Sequence, residues 1–237
     1  EQNDGDSRFL RSSKNRFGSV DEIGIFTMGE QGLAMVEDPS LLFLVTREGE
    51  LPPGVATAAV LEGTRTLLVE IQALSVPAKG AMTRVFSDRI DSARVSRAAA
   101  ILEKHLGLRL SDQDIYVNVA GGIRITEVGA ELALAAALYS ARTGLPLPAR
   151  TAIAGELSLA GEVRPLKRLP ARIKTGRSLG FERFLGPLAE PPDPQAAART
   201  GAKIEHAGET IGVRDIRSAV KALFSAEREI LPGIHSQ

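Results

Sequence analysis

Two runs of cationic side chains offer the clearest chemistry in this sequence. Lys14-Asn15-Arg16-Phe17-Gly18 sets two cations, an amide and an aromatic ring side by side, with Arg8 and Arg11 just before them. A basic pair in a polar loop suits contact with phosphate oxygens, either of DNA or of a bound nucleotide. A second run passes through Arg164, Lys167, Arg168, Arg172, Lys174, Arg177 and Arg183, with Glu182 as the opposing charge inside that span. Lys167 and Lys174 are spaced by two helical turns and Lys174 and Arg177 by about one, so one helix edge would carry several positive charges. Each phosphate neutralised there would release counterions and make binding salt-dependent. The plainer reading is a solvated loop in the first case, and a solvated helix face or an ion-paired subunit contact in the second. Lys79, Arg84, Arg89, Arg94 and Arg97 form a third patch, diluted by Asp88 and Asp91.

Other chemistries find little support. Cysteine is absent, which excludes disulfides and thiolate zinc sites from these residues and fits a reducing cytoplasm. His105, His206 and His235 are too widely spaced to suggest a metal site, and none is expected. No Gly-Lys dipeptide occurs, so there is no Walker A phosphate loop. Gly121-Gly122 reads as a turn at a strand end. The 29 basic and 29 acidic residues cancel, so any attraction to nucleic acid must come from the distribution of charge. Arginine outnumbers lysine, and its planar fork is the better match to phosphate.

The elements that must position these groups read as a mixture of strands and helices. Alternating apolar residues predict a strand over 115–119, broken by Ala120-Gly121-Gly122. A helix over 130–139 is apolar nearly all round and must be buried between layers. A short strand over 151–154 is followed by a glycine-turn hairpin over 155–166 and a basic helix over 169–179, with Gly180 at its C′ position. Before this unit, strands are expected over 23–28, 33–36, 55–61 and 66–73, a basic loop over 76–84, and an amphipathic helix over 91–106 ended by Gly107. A short apolar docking segment is expected over 41–46. After the unit, a proline-rich loop over 187–194 leads to a helix over 195–200 and a strand over 204–207. Thr210 is the candidate cap for a final helix over 213–224, and 227–237 reads as a tail. With 43% hydrophobic and 4% aromatic residues and no Trp, the core must rest on Leu, Ile, Val and Ala. No apolar run is long enough to span a membrane.

The order strand, glycine break, buried helix, short strand, hairpin ending Val163-Arg164-Pro165, basic helix resembles the proteolytic domain of Lon proteases. That resemblance implies a serine at the start of the buried helix and a lysine soon after the hairpin, the neutral lysine taking the hydroxyl proton. Here Gly129, in Glu127-Val128-Gly129-Ala130-Glu131, stands in the serine's place and Pro170 in the lysine's. Neither can do the chemistry, so no catalytic residue is expected. Lys14-Asn15-Arg16-Phe17-Gly18 is similar to the signature of the RadA (Sms) family, bacterial DNA-repair ATPases with a RecA-like motor and a Lon-like domain that lacks the dyad.

The resemblance implies an α/β (α+β) fold. Residues 1–40 would be the β-rich end of a RecA-like ATPase domain bearing the motif, 41–53 a connector, 54–225 a Lon protease-like domain, and 226–237 a tail. It implies a C-terminal fragment that serves as a non-proteolytic scaffold in ATP-dependent DNA repair, recombination and branch migration. No cofactor is expected here; ATP and Mg would be held by the parent, and zinc by a missing N-terminal finger. DNA, single-stranded or branched, is the implied partner, with a homo-hexameric ring and the recombinase RecA as further partners, no membrane, and a cytoplasmic location. The sites it implies are Lys14, Asn15, Arg16, Phe17 and Gly18 for the motif. For DNA contact they are Lys14, Arg16, Arg164, Lys167, Arg168, Arg172, Lys174 and Arg177. Two other readings stay open: a peptidase with a relocated dyad made from Thr126 and Lys174 or Lys167, and a pure protein-interaction module. Thr126 is more simply a helix cap.

Overall fold

The computed structural model describes residues 2–4, 7–11, 23–29, 32–36, 40–45, 49–80, 83–188 and 208–228. The motif Lys14–Gly18, the helix expected over 195–200, the strand expected over 204–207 and residues 229–237 lie outside the described residues. The chain is mixed α/β. An antiparallel sheet in the order β1 (Gln2–Asp4), β2 (Ser7–Arg11), β3 (Ile23–Gly29) and β4 (Gly32–Met35) comes first. The polar sequence of β1 and β2 hid both from periodicity, because their strand character comes from pairing, β1 with β2 and β2 with β3. A single turn, α1 (Ser40–Phe43), then leads into the main body, where Phe43 is buried.

The body is a seven-stranded sheet. Its strands are β5 (Val55–Glu62), β6 (Arg65–Pro77), β7 (Val85–Ser87), β8 (Gln113–Val119), β9 (Thr151–Ile153), β12 (Arg183–Pro187) and β13 (Glu209–Val213). Their order is β13-β12-β9-β5-β6-β8-β7. The run from β13 to β5 is parallel, β6 is antiparallel to both neighbours, and β7 returns parallel to β8. Strand β6 runs on to Pro77, past the expected end at residue 73, and β7 lies just after the basic loop expected over 76–84. Both differences arise because neighbouring strands extend the ladder past where the apolar alternation ends. A small hairpin of β10 (Glu156–Leu157) and β11 (Val163–Arg164) stands apart from this sheet.

Alternation sorts the side chains of β5 and β6 between two cores. Ala56, Ala58, Val60, Leu67, Val69 and Ile71 face a layer made by α2 (Ser92–Leu106), α3 (Glu131–Thr143) and α5 (Ile216–Arg228). Ala59 and Leu68 face the other way, with Ala152, Ala154 and Phe184, and are covered by Leu169 and Ile173 of α4 (Leu169–Ser178). Residues Leu132 to Ser140 of α3 are all buried, as its all-round apolar sequence requires. Asp91 caps α2 by accepting from the backbone N–H of Ala93 at 2.9 Å, and left-handed Gly107 ends it. The last helix is shifted from expectation. Thr210 lies in β13, and Asp215 caps α5 instead, its Oδ1 accepting from the Ser218 N–H at 2.7 Å.

Candidate functional site

The entry to α3 is where the sequence leaves its largest chemical question. A 3-10 turn over Val128–Ala130 precedes the helix, and Gly129 within it is buried. The Glu127 carboxylate caps this turn, with Oε1 accepting from the Gly129 N–H at 3.0 Å. Thr126 is exposed and does not act as the cap expected of it. Glu127 Oε2 also accepts from the Leu61 N–H at 3.3 Å, which ties the turn to β5.

The other partner of Glu127 corrects the sequence reading. Arg172, expected to face DNA, is 1% exposed. Its Nη1 and Nη2 donate to the two Glu127 oxygens at 2.9 and 3.0 Å, Nη1 donates to the Ala59 carbonyl at 2.6 Å, and Nε donates to the Lys167 carbonyl at 3.3 Å. A two-pronged arginine–carboxylate pair with further donors on backbone carbonyls is the geometry a buried charge requires. Arg94 supports the same segment by donating to the carbonyls of Ile125 at 3.1 Å and Glu127 at 2.9 Å. A Cβ placed on Gly129 would stand 2.6 and 2.7 Å from the Glu127 oxygens and 3.0 Å from Arg172 Nη1. The bridge fills the space that a side chain at position 129 would need. Pro170 sits at the exposed start of α4, where its missing N–H costs nothing.

The rest of the second basic run divides. Arg177 is half-buried, and its guanidinium donates to the carbonyls of Phe181 at 3.0 Å and Glu209 at 2.6 Å and to that of Glu182. It therefore holds a loop and β13 in place and is not a surface cation as expected. Lys167 precedes α4, so the two-turn spacing from Lys174 does not place them on one helix. Lys167, Arg168 and Lys174 are exposed. Arg168 adopts a left-handed backbone, φ 57°, at the junction into α4. Arg164 is exposed on β11 and pairs with Glu156 at 3.4 Å.

A groove of about 490 Å3 lies between α2, the start of α3 and the β10–β11 hairpin. Its three arginines lie among Glu131, Glu156 and Glu162, with Arg94 and Arg97 beside Glu131 at 3.4 and 3.6 Å and Arg164 beside Glu156. The lining therefore carries no excess positive charge for a phosphate. The third basic patch is likewise dispersed. Arg84 binds Asp114, whose carboxyl is held below its usual range first by the side-chain hydrogen bond from Arg84, and that same bond raises the arginine. Among the described residues no group of three or more His, Cys, Asp or Glu side chains could hold a metal ion. Among the described residues no helix is long and apolar enough to cross a membrane, which says nothing of β-barrels.

Comparison with known proteins places these features in context. A family model described as subunit ChlI of Mg-chelatase matches residues 85–190. The chain is 60% identical over 188 residues to a protein of Treponema pallidum (strain Nichols) named "DNA repair protein RadA", a match that covers 79% of this chain and 41% of the relative. Proteins of the same name in Salmonella typhimurium and Pseudomonas aeruginosa are 46% identical over 191 residues and 38% identical over 223 residues. These cover 80% and 94% of this chain and 41% and 47% of the relatives. The chain thus spans less than half the length of the relatives it matches.

Proposed function

We propose that this chain, which belongs to the RadA family, is the non-proteolytic, DNA-associating scaffold of an ATP-dependent DNA repair protein. The body over residues 54–225 is Lon protease-like, with the dyad lost at Gly129 and Pro170. Residues 1–40 end a RecA-like motor, and 41–53 connect the two. One observation carries the non-proteolytic reading: the Glu127–Arg172 bridge occupies the space beside Gly129 where a nucleophile would stand. The relocated dyad gains no support, because Lys174 is exposed and a lysine base must be desolvated.

DNA association rests on the exposed cations Lys167, Arg168 and Lys174, with Arg164 beside them, and on Lys14 and Arg16 of the motif. Arg172 and Arg177 are not part of it. Copies of the chain assemble head to tail into a ring, the hexamer implied by the resemblance, and rings form when such an interface closes. The protein works in the cytoplasm on single-stranded or branched DNA during recombination and branch migration, with recombinase RecA as a partner. ATP and Mg do not fit the residues present, since the chain has no Gly-Lys phosphate loop and no acidic cluster among its described residues. A thiolate zinc finger does not fit a chain without cysteine. These groups belong to the remainder of a longer protein.

The test is a paired assay on one preparation. The chain binds a labelled DNA fork at low salt, the Lys167→Glu/Arg168→Glu/Lys174→Glu variant loses most of that affinity, and fluorescent casein is left intact. Casein hydrolysis that Thr126→Ala or Lys174→Ala abolishes would overturn the scaffold reading in favour of a peptidase. No fork binding by the chain at low salt would leave a protein-interaction module, and unchanged affinity in the triple variant would remove these three cations from the DNA contact.

A further inference from the structure

Helix α4 covers only part of its face of the large sheet. Beyond it, on the same side, Leu74 of β6, Tyr116 of β8 and Phe86 of β7 lie opposite one another in register. They are 57, 38 and 44% exposed, three large apolar side chains in one row. The Phe86 and Tyr116 rings are stacked, with centroids 4.7 Å apart and planes at 10°. The Arg84 guanidinium, bound to Asp114, lies 5.6 Å from the Phe86 centroid and places a cation beside the rings. Strand order puts the second side of the Tyr116 ring toward Leu74. The next row along carries amides, with Asn118 Nδ2 donating to Gln72 Oε1 at 3.2 Å.

We propose that this row is a stacking platform for the bases of single-stranded DNA. The proposal rests on the DNA association argued above and assigns it a second face. An open sheet bearing exposed aromatic rings, flanked by cations and amides, matches how unpaired bases are held, because every base has a π-face. A base placed against Tyr116 above Leu74 continues the Phe86–Tyr116 stack. Charge does not oppose a polyanion. Glu70 and Asp114, the carboxylates of these strands on this side, are both buried, Asp114 beneath Arg84 and Glu70 with Gln72 Nε2 at 2.7 Å, while Arg84 is exposed and Lys79 lies within electrostatic reach of Asp114. Duplex DNA, whose bases already stack on one another, would gain nothing from such rings.

The composition makes the test specific. The chain has two tyrosines and no tryptophan, and Tyr139 is buried. Oligodeoxythymidylate of about 20 nucleotides, added at low salt to a Tyr139→Phe chain, quenches the remaining tyrosine emission saturably; the same quench appears in the parent and is missing from Tyr116→Phe. Labelled oligonucleotide binds Phe86→Ala and Tyr116→Ala roughly tenfold more weakly, while Tyr116→Phe, which keeps the ring, binds as the parent does. Binding that leaves Tyr116 emission unchanged and survives both alanine variants overturns the platform and leaves DNA association standing. No binding at low salt overturns both. Alanine variants that lower the mass by light scattering but keep their oligonucleotide affinity would make the row a contact between copies of the chain, and the platform fails.

Discussion

At Gly129 a missing side chain and a buried ion pair explain each other. The carboxylate of Glu127 caps the turn, binds β5 and receives both prongs of Arg172, so any atom added at position 129 meets charged oxygens. Gly129→Ser is therefore expected to create no peptidase. The variant is expected to lose about 1–3 kcal/mol of stability, the usual cost of overpacking, measured by urea unfolding, with fluorescent casein still intact. Serine accepted without loss would mean that the bridge is easily displaced. Arg172 was not legible as a buried group because its partner lies 45 residues away. A signal was present even so: Leu169, Arg172, Ile173 and Gly176 recur at helical spacing, which puts the arginine on the inward face of α4.

Elements with a long, regular pattern were legible and short ones were not. The amphipathic α2 with its Asp91 and Gly107 ends, the all-apolar α3 and the hairpin β5–β6 follow from periodicity and capping chemistry. Strand β7 has three residues, too few to show a period, and exists because β8 offers it a ladder. The start of α5 was misplaced because the apolar alternation of β13 runs into the helix, and the cap Asp215 sits between them. The Asp215 carboxyl is lowered below its ordinary value, first by the backbone N–H of Ser218. A lowered carboxyl stabilises the fold above its unfolded pKa, and that contribution disappears as pH falls through the folded one. Asp215→Ala should cost about 1 kcal/mol at neutral pH, with the gap to the parent closing as urea unfolding is repeated below pH of about 4. A gap that stays constant down to that range would mean the charge plays no part.

For the whole molecule, the net charge of zero hides an uneven surface. Several of the arginines that make the sequence look basic are consumed inside the fold: Arg172 and Arg94 hold the α3 entry, and Arg177 holds backbone carbonyls. The exposed Lys167, Arg168 and Lys174 are what remain of the second run for a phosphate backbone. The most direct test is the affinity of the chain for duplex DNA across a salt series. The logarithm of the binding constant should fall against the logarithm of salt concentration, and losing these three contacts in the triple glutamate variant should make that slope shallower by roughly 2.7. Binding that is absent at low salt, or that ignores both salt and the triple variant, would contradict a DNA-associating scaffold.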